Sequence, residues 1–123
     1  MKKVKTSEPK VRTKTQISVN LRMMEGPRIE DFSICKILYA LSDPTRMEMV
    51  RMIDEAGGEV RCGFFSERIG LSKPTLSHHL GILRESGVVE TRLEGTHKLN
   101  TIRRASLQER YPGLLKAILR GLD

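Results

Sequence analysis

Apolar positions along this chain recur with two different periods, and the change falls at Gly87. Before it the spacing is helical. In residues 30–41, Ile34, Leu38 and Leu41 share one face. Asp43-Pro44 then supplies a capping side chain and a residue suited to a first helical turn, and Met47, Val50 and Ile53 mark a second helix that stops near Gly57-Gly58. A short third helix is predicted over residues 63–69, with Gly70 as its breaker. Ser72 caps a fourth, Pro74 sits in its first turn, and Leu76, Leu80 and Leu83 line its buried side.

After Gly87 the period shortens. Residues 88–93 read as a strand, Glu94-Gly95 as a turn and residues 96–103 as a second strand. Leu114, Leu115, Ile118 and Leu122 then return to helical spacing, with Pro112 expected in that helix's first turn. Two helices joined by a glycine turn and followed by a hairpin describe a winged helix-turn-helix. The predicted class is mainly α with a small β-hairpin (α+β), with about five helices and a two-stranded wing.

Charge adds a division. The chain of 123 residues carries a formal net charge of +7. Residues 1–28 hold eight Lys/Arg against two Glu, whereas the remainder is almost balanced. The reading is a basic N-terminal arm over 1–28, mobile or with a short extra helix on Ile17, Leu21 and Met24, followed by one domain over 29–123. A basic arm on a near-neutral body suits nucleic acid. No apolar run approaches the ~20 residues that span a bilayer, and no signal-peptide pattern is seen, so a cytoplasmic location without membrane contact is expected.

Candidate chemistry centres on Lys73, Thr75, Ser77 and His78, which fall on the outward side of the fourth helix's start. Short polar donors there suit base edges and phosphates. Arg84 adds a candidate phosphate contact, and Arg92, His97 and Lys98 place cations on the wing. His79 follows Leu76 by three and is expected to be partly buried. Adjacent histidines lie about 100° apart on a helix, unlike the i, i+4 pairs that hold zinc. Ser77 beside His78 lacks an orienting acid, and no constellation of nucleophile, base and acid suggests an enzyme.

The segments ALSDPTRMEMVRMI (residues 40–53) and LSKPTLSHHLGILRESGVVETRLEGTHKLNTI (residues 71–102) resemble the ArsR/SmtB family of bacterial repressors. The resemblance covers about residues 30–105. It implies a homodimer built on the first and last helices, here Ile34, Leu38, Leu114, Leu115, Ile118 and Leu122, bound to a double-stranded operator with two-fold symmetry and released by an inducer. The family's metal segment Glu-Leu-Cys-Val-Cys-Asp is replaced here by Glu59-Val60-Arg61-Cys62-Gly63-Phe64, and no His or Cys follows His97. No metal site and no cofactor is therefore expected. Cys62, beside Arg61 at a helix start, and Cys35, expected to be buried, remain as candidate thiol sensors. The inducer is unknown. The alternatives are a ligand-independent or thiol-responsive repressor, or an interaction module that has lost DNA binding.

Overall fold

The computed structural model describes residues 23–122. Six α-helices and three strands form one body: α1 (Ile34–Leu41), α2 (Pro44–Ala56), β1 (Val60–Arg61), α3 (Cys62–Ile69), α4 (Lys73–Ser86), β2 (Val89–Glu94), β3 (His97–Ile102), α5 (Arg104–Arg110) and α6 (Leu114–Arg120). The winged helix-turn-helix class predicted from the sequence is the class observed. The strand and helix counts are each one higher.

The extra strand is β1. The sheet is antiparallel in the order β1-β3-β2, with Val60 opposite Asn100 and a hairpin register running from Val89–Ile102 to Glu94–His97. A two-residue strand carries no period and escapes a sequence reading. Its anchor is the buried Asn100. The Asn100 amide donates to the Val60 carbonyl at 3.1 Å, and the Thr91 hydroxyl donates to the Asn100 carbonyl oxygen at 2.8 Å. Both side chains are withdrawn from water and both find partners.

The extra helix is α5. Only Leu107 is buried along it, so no apolar period announced it. Pro112 lies in the connection between α5 and α6, and Leu114 opens α6 at N1. The expected last helix is α6, and it starts after Pro112 rather than including it in its first turn. At the other end, Ile29–Asp31 form one 3-10 turn, and α1 starts only at Ile34, where the Ser33 hydroxyl accepts the Lys36 N–H. The predicted helix over residues 30–41 is broken at Phe32, whose ring enters the core.

The core gathers Ile37, Met49, Val50, Ile53, Phe65, Leu83, Val88 and Val89, with α4 packed between α1, α2, α3 and β2. Burying each such side chain contributes about 1.5–3 kcal/mol before entropy is subtracted. Gly87 joins α4 to β2 with φ +92°, and a Cβ there would lie 2.4 Å from the Phe32 ring. The backbone conformation and the close approach both demand glycine.

Residues 23–28 of the expected arm run against the body. Met23 bridges Arg92, the Met24 N–H donates to the Thr91 carbonyl at 2.9 Å, and Arg103 donates to the Pro27 carbonyl at 2.6 Å. Burial holds the Arg103 guanidinium below its ordinary value, with Glu90 opposing the shift. Met24 is thus extended beside β2. Ile17 and Leu21, the other residues of the expected N-terminal helix, lie outside the described residues. No helix among the described residues is long and apolar enough to cross a membrane.

Candidate nucleic-acid interface

The site is built around α4. The Ser72 hydroxyl oxygen accepts the Thr75 N–H at 3.4 Å and donates to the Thr75 hydroxyl oxygen at 3.0 Å. Gly70, with φ +78°, ends α3 and lets the chain turn into this cap. Leu76, Leu80 and Leu83 face the core, so helical geometry turns Ser77 and His78 outward. Lys73, Thr75, Ser77 and His78 are all exposed. Lys73 and Thr75 sit towards opposite rims of that face, and Thr75 shares its hydroxyl with the cap.

Gly81 falls on the outward side as well, one turn beyond Ser77. A Cβ there would meet only the flexible Arg84 side chain, at 3.8 Å. The fold does not require glycine at this place, and mid-helix glycine costs about 1 kcal/mol relative to Ala. A bare backbone on that face permits close approach by a ligand surface. Arg84 itself is half-buried and makes no ion pair among the described residues.

The inner side of α4 is fixed by a buried arginine. Asp43 caps α2 by accepting the Arg46 N–H at 3.0 Å, and this bond holds its carboxyl below the ordinary range. The Arg46 guanidinium points elsewhere. It donates to the carbonyls of Ala40 (2.7 Å) and Tyr39 (3.2 Å) at the end of α1, and it lies 3.2 Å from His79 Nδ1. Arginine only donates, so in this contact His79 Nδ1 is the acceptor. Only the Arg46 backbone N–H serves this local cap. Its side chain ties α1, α2 and α4 together. The sequence carried a signal for this, because Arg46 shares a helical face with Met49, Val50 and Ile53. His79 is half-buried, as its spacing from Leu76 predicted.

The wing is less uniform than expected. His97 and Lys98 are exposed beside the turn at Gly95. Arg92 is not a free cation. Its guanidinium donates to both Glu59 oxygens at 2.9 and 2.8 Å and lies 3.6 Å from Glu94. The planar fork matches a carboxylate in this two-bond geometry, and it keeps Glu59 ionised to lower pH than usual. In this structure Arg92 thus ties the wing's first strand to Glu59, ahead of β1.

The apolar surface lies on α1. Ile34, Leu38 and Tyr39 are 38%, 49% and 62% exposed, while Ile37, Ala40 and Leu41 face inward. Leu114, Leu115, Ile118 and Leu122 are half-buried along and just beyond α6. Cys35 is exposed on α1, contrary to the expectation of burial, because Ile37 and not Ile34 points into the core. Cys62 opens α3 half-buried, with the Asn100 amide 3.5 Å from its sulfur. Among the described residues no three of His, Cys, Asp or Glu gather in a way that could hold a metal ion.

A family model described as a helix-turn-helix domain matches residues 41–92, which contain α2, α3, α4 and most of the wing's first strand. The transcriptional repressor SdpR of Bacillus subtilis is 31% identical over 85 residues, covering 69% of this chain and 92% of that protein. The arsenical resistance operon repressor of Staphylococcus xylosus is 39% identical over 59 residues, 48% of this chain and 55% of its own length. The chain belongs to the ArsR/SmtB family. HlyU from Vibrio cholerae, a solved structure, superposes with a TM-score of 0.59 at 29% identity, covering 71% of this chain and 88% of its own. An ArsR/SmtB chain is a transcriptional regulator with a helix-turn-helix DNA-binding domain, not an enzyme. The exposed start of α4 is the second helix of that motif.

Proposed function

We propose that the chain is a homodimeric repressor that sets α4 of each protomer into successive major grooves of a two-fold operator, about 34 Å apart. The observation that carries this is the two-sidedness of α4. Arg46, Leu76, Leu80 and Leu83 clamp its inner side, while Lys73, Ser77 and His78 stand free on the outer side. Thr75 and Arg84 flank them, and His97 with Lys98 extends the same cationic character onto the wing tip. The exposed apolar strip of α1, together with α6, supplies the dimer face. Fluorescence anisotropy with operator-like and random duplexes tests the reading. Preference for the operator, lost together with the dimer in the variant Leu115→Glu/Ile118→Glu, supports it. Equal affinity for all duplexes, or none, overturns it.

The inducer we propose is not a metal at the family's known positions, because Arg61 and Gly63 stand where thiolate ligands would be needed. Exposed Cys35 and half-buried Cys62 favour thiol chemistry as the release signal. Operator release by a disulfide donor, abolished in Cys35→Ser/Cys62→Ser, supports this. Release that survives the double variant assigns the signal to an organic ligand.

A further inference from the structure

A cleft lies away from the reading face, between the end of α2, α5 and α6. It holds about 490 Å³, within the roughly 300–1,000 Å³ of small-molecule sites. Residues four apart stack on one side of a helix, and α6 uses that spacing twice here. Leu115 and Leu119 form the apolar side of the cleft, half-buried and packed on the core. Lys116 and Arg120 form its charged side, and Arg104 of α5 adds a third cation. Ile118, with Leu114 and Leu122, falls on the other side of the Leu115–Leu119 pair. The strip offered to a second copy and the cleft are therefore neighbours, with Leu115 bordering both.

The polar groups around the cleft are donors. Its one carboxylate, Asp54, is already held by Arg104. The Gln108 side-chain oxygen accepts the Gly113 N–H at 3.1 Å, which leaves the amide nitrogen to donate. Among the described residues neither Lys116 nor Arg120 has an ion-pair partner or a side-chain hydrogen bond. Like charges one turn apart destabilise a helix, and Lys116 stands in the first turn of α6, where the helix dipole disfavours a cation. Within the chain nothing offsets that cost. An apolar wall beside donors and unmatched positive charge fits one ligand chemistry, a carboxylate on an apolar body. An inorganic anion would leave Leu115 and Leu119 uncovered, and a neutral hydrocarbon would leave the cations unmatched.

We propose that this cleft binds a medium-chain organic carboxylate, its head among Lys116, Arg120 and Gln108 and its chain against Leu115 and Leu119, and that the bound acid releases the chain from its operator. The release follows from the place of the cleft. It joins α2, which packs against α4, to α6, which supplies part of the dimer face. An occupant that prefers one angle between these helices shifts the separation of the two α4 helices in the dimer. This is a route separate from the cysteines. The release rests on the repressor reading above; the binding does not.

Two measurements on the full, reduced chain test it. Proton–nitrogen NMR with octanoate below its micelle concentration reads the site, and duplex anisotropy with and without octanoate reads the release. The Gln108 side-chain amide and the backbone amides of Lys116 and Leu119 should shift saturably. Octanol and inorganic phosphate should each bind at least about tenfold more weakly than octanoate. Octanoate should lose as much in Lys116→Gln/Arg120→Gln, whose exposed positions leave the urea midpoint unchanged. No saturable shift at these amides, octanol or phosphate equal to octanoate, or undiminished binding to the variant overturns the site. Amides that move when the chain is diluted, and not with octanoate, give the cleft to a second copy and overturn it as well. Octanoate should weaken operator affinity about fivefold or more in wild type and not in the variant. Unchanged or tighter operator binding overturns the release. A wild-type chain that binds no duplex sinks the repressor reading and the release with it, while the amide shifts still decide the site.

Discussion

The start of α4 is held by Ser72, three positions from the Thr75 amide it caps, whereas Arg92 on the wing is held by Glu59, 33 positions away. The same contrast runs through both regions. α4 gets its cap, its breaker glycines and its apolar stripe from its own stretch of sequence. The hairpin turn is local too, but the sheet it belongs to is completed by β1 through Asn100 and Val60, by Glu59, and by residues 23–24. Local rules therefore make the reading helix, and distant partners set the angle at which the wing meets whatever that helix meets.

Variants can sharpen or break this contrast. The largest effect is expected where a distant side chain is hydrogen-bonded to α4. Arg46→Met takes the guanidinium donor from the Ala40 carbonyl and from His79, while the Tyr39 carbonyl keeps the Ser42 N–H and hydroxyl, and hydrogen bonds to a charged group contribute about 1.5–3 kcal/mol each. Urea unfolding should show a loss of roughly 2–4 kcal/mol. A loss under about 1 kcal/mol would mean that α4 is self-sufficient after all. Asn100→Ala comes next. It should cost about 1–3 kcal/mol by leaving buried groups of Val60 and Thr91 unpaired, and exchange at β1 amides should rise more than exchange in α4.

Much of the helical half was legible in sequence because its signals are short-ranged. Asp43-Pro44, Ser72 with Pro74, and the Leu76–Leu80–Leu83 stripe each act within one or two turns. The outward placing of Ser77 and His78 follows from that stripe by geometry. What escaped reading was set by tertiary contact. Arg92 looked like a free wing cation because nothing near it in sequence reveals Glu59. Cys35 looked buried because it lies amid Ile34, Ile37 and Leu38, while of these three only Ile37 takes the inward place. α5 has one buried residue, and one residue makes no period. The break at Phe32 answers to Gly87, 55 positions later by their numbers.

The two smaller predictions separate reading from support. Ser77→Ala/His78→Ala should leave stability within about 0.5 kcal/mol while relaxing operator preference by roughly 1–3 kcal/mol per lost base contact. Competition titrations with mismatched duplexes measure this, and full retention of preference would shift the recognition face elsewhere on α4. The smallest effect compares two wing cations. Lys98→Ala should reduce the salt slope by about 0.9, and Arg92→Ala should leave it unchanged. Equal slope changes would show that Arg92 lets go of Glu59 when duplex arrives.

The fit between Phe32 and Gly87 decides where this chain can be shortened. The ring fills the space that any side chain at Gly87 would claim, and it also lies 4.9 Å beneath the Arg103 guanidinium that holds Pro27. A truncation just before Met23 keeps that plug, its arginine and the β2 bridge. One that begins at Ser33 opens a void behind the joint of α4 and β2 and strands a half-buried charge, a change on the scale of deleting a core phenylalanine, about 3–5 kcal/mol. The smallest self-sufficient unit thus begins ahead of its first helix, at a stretch that looks dispensable when helices alone are counted.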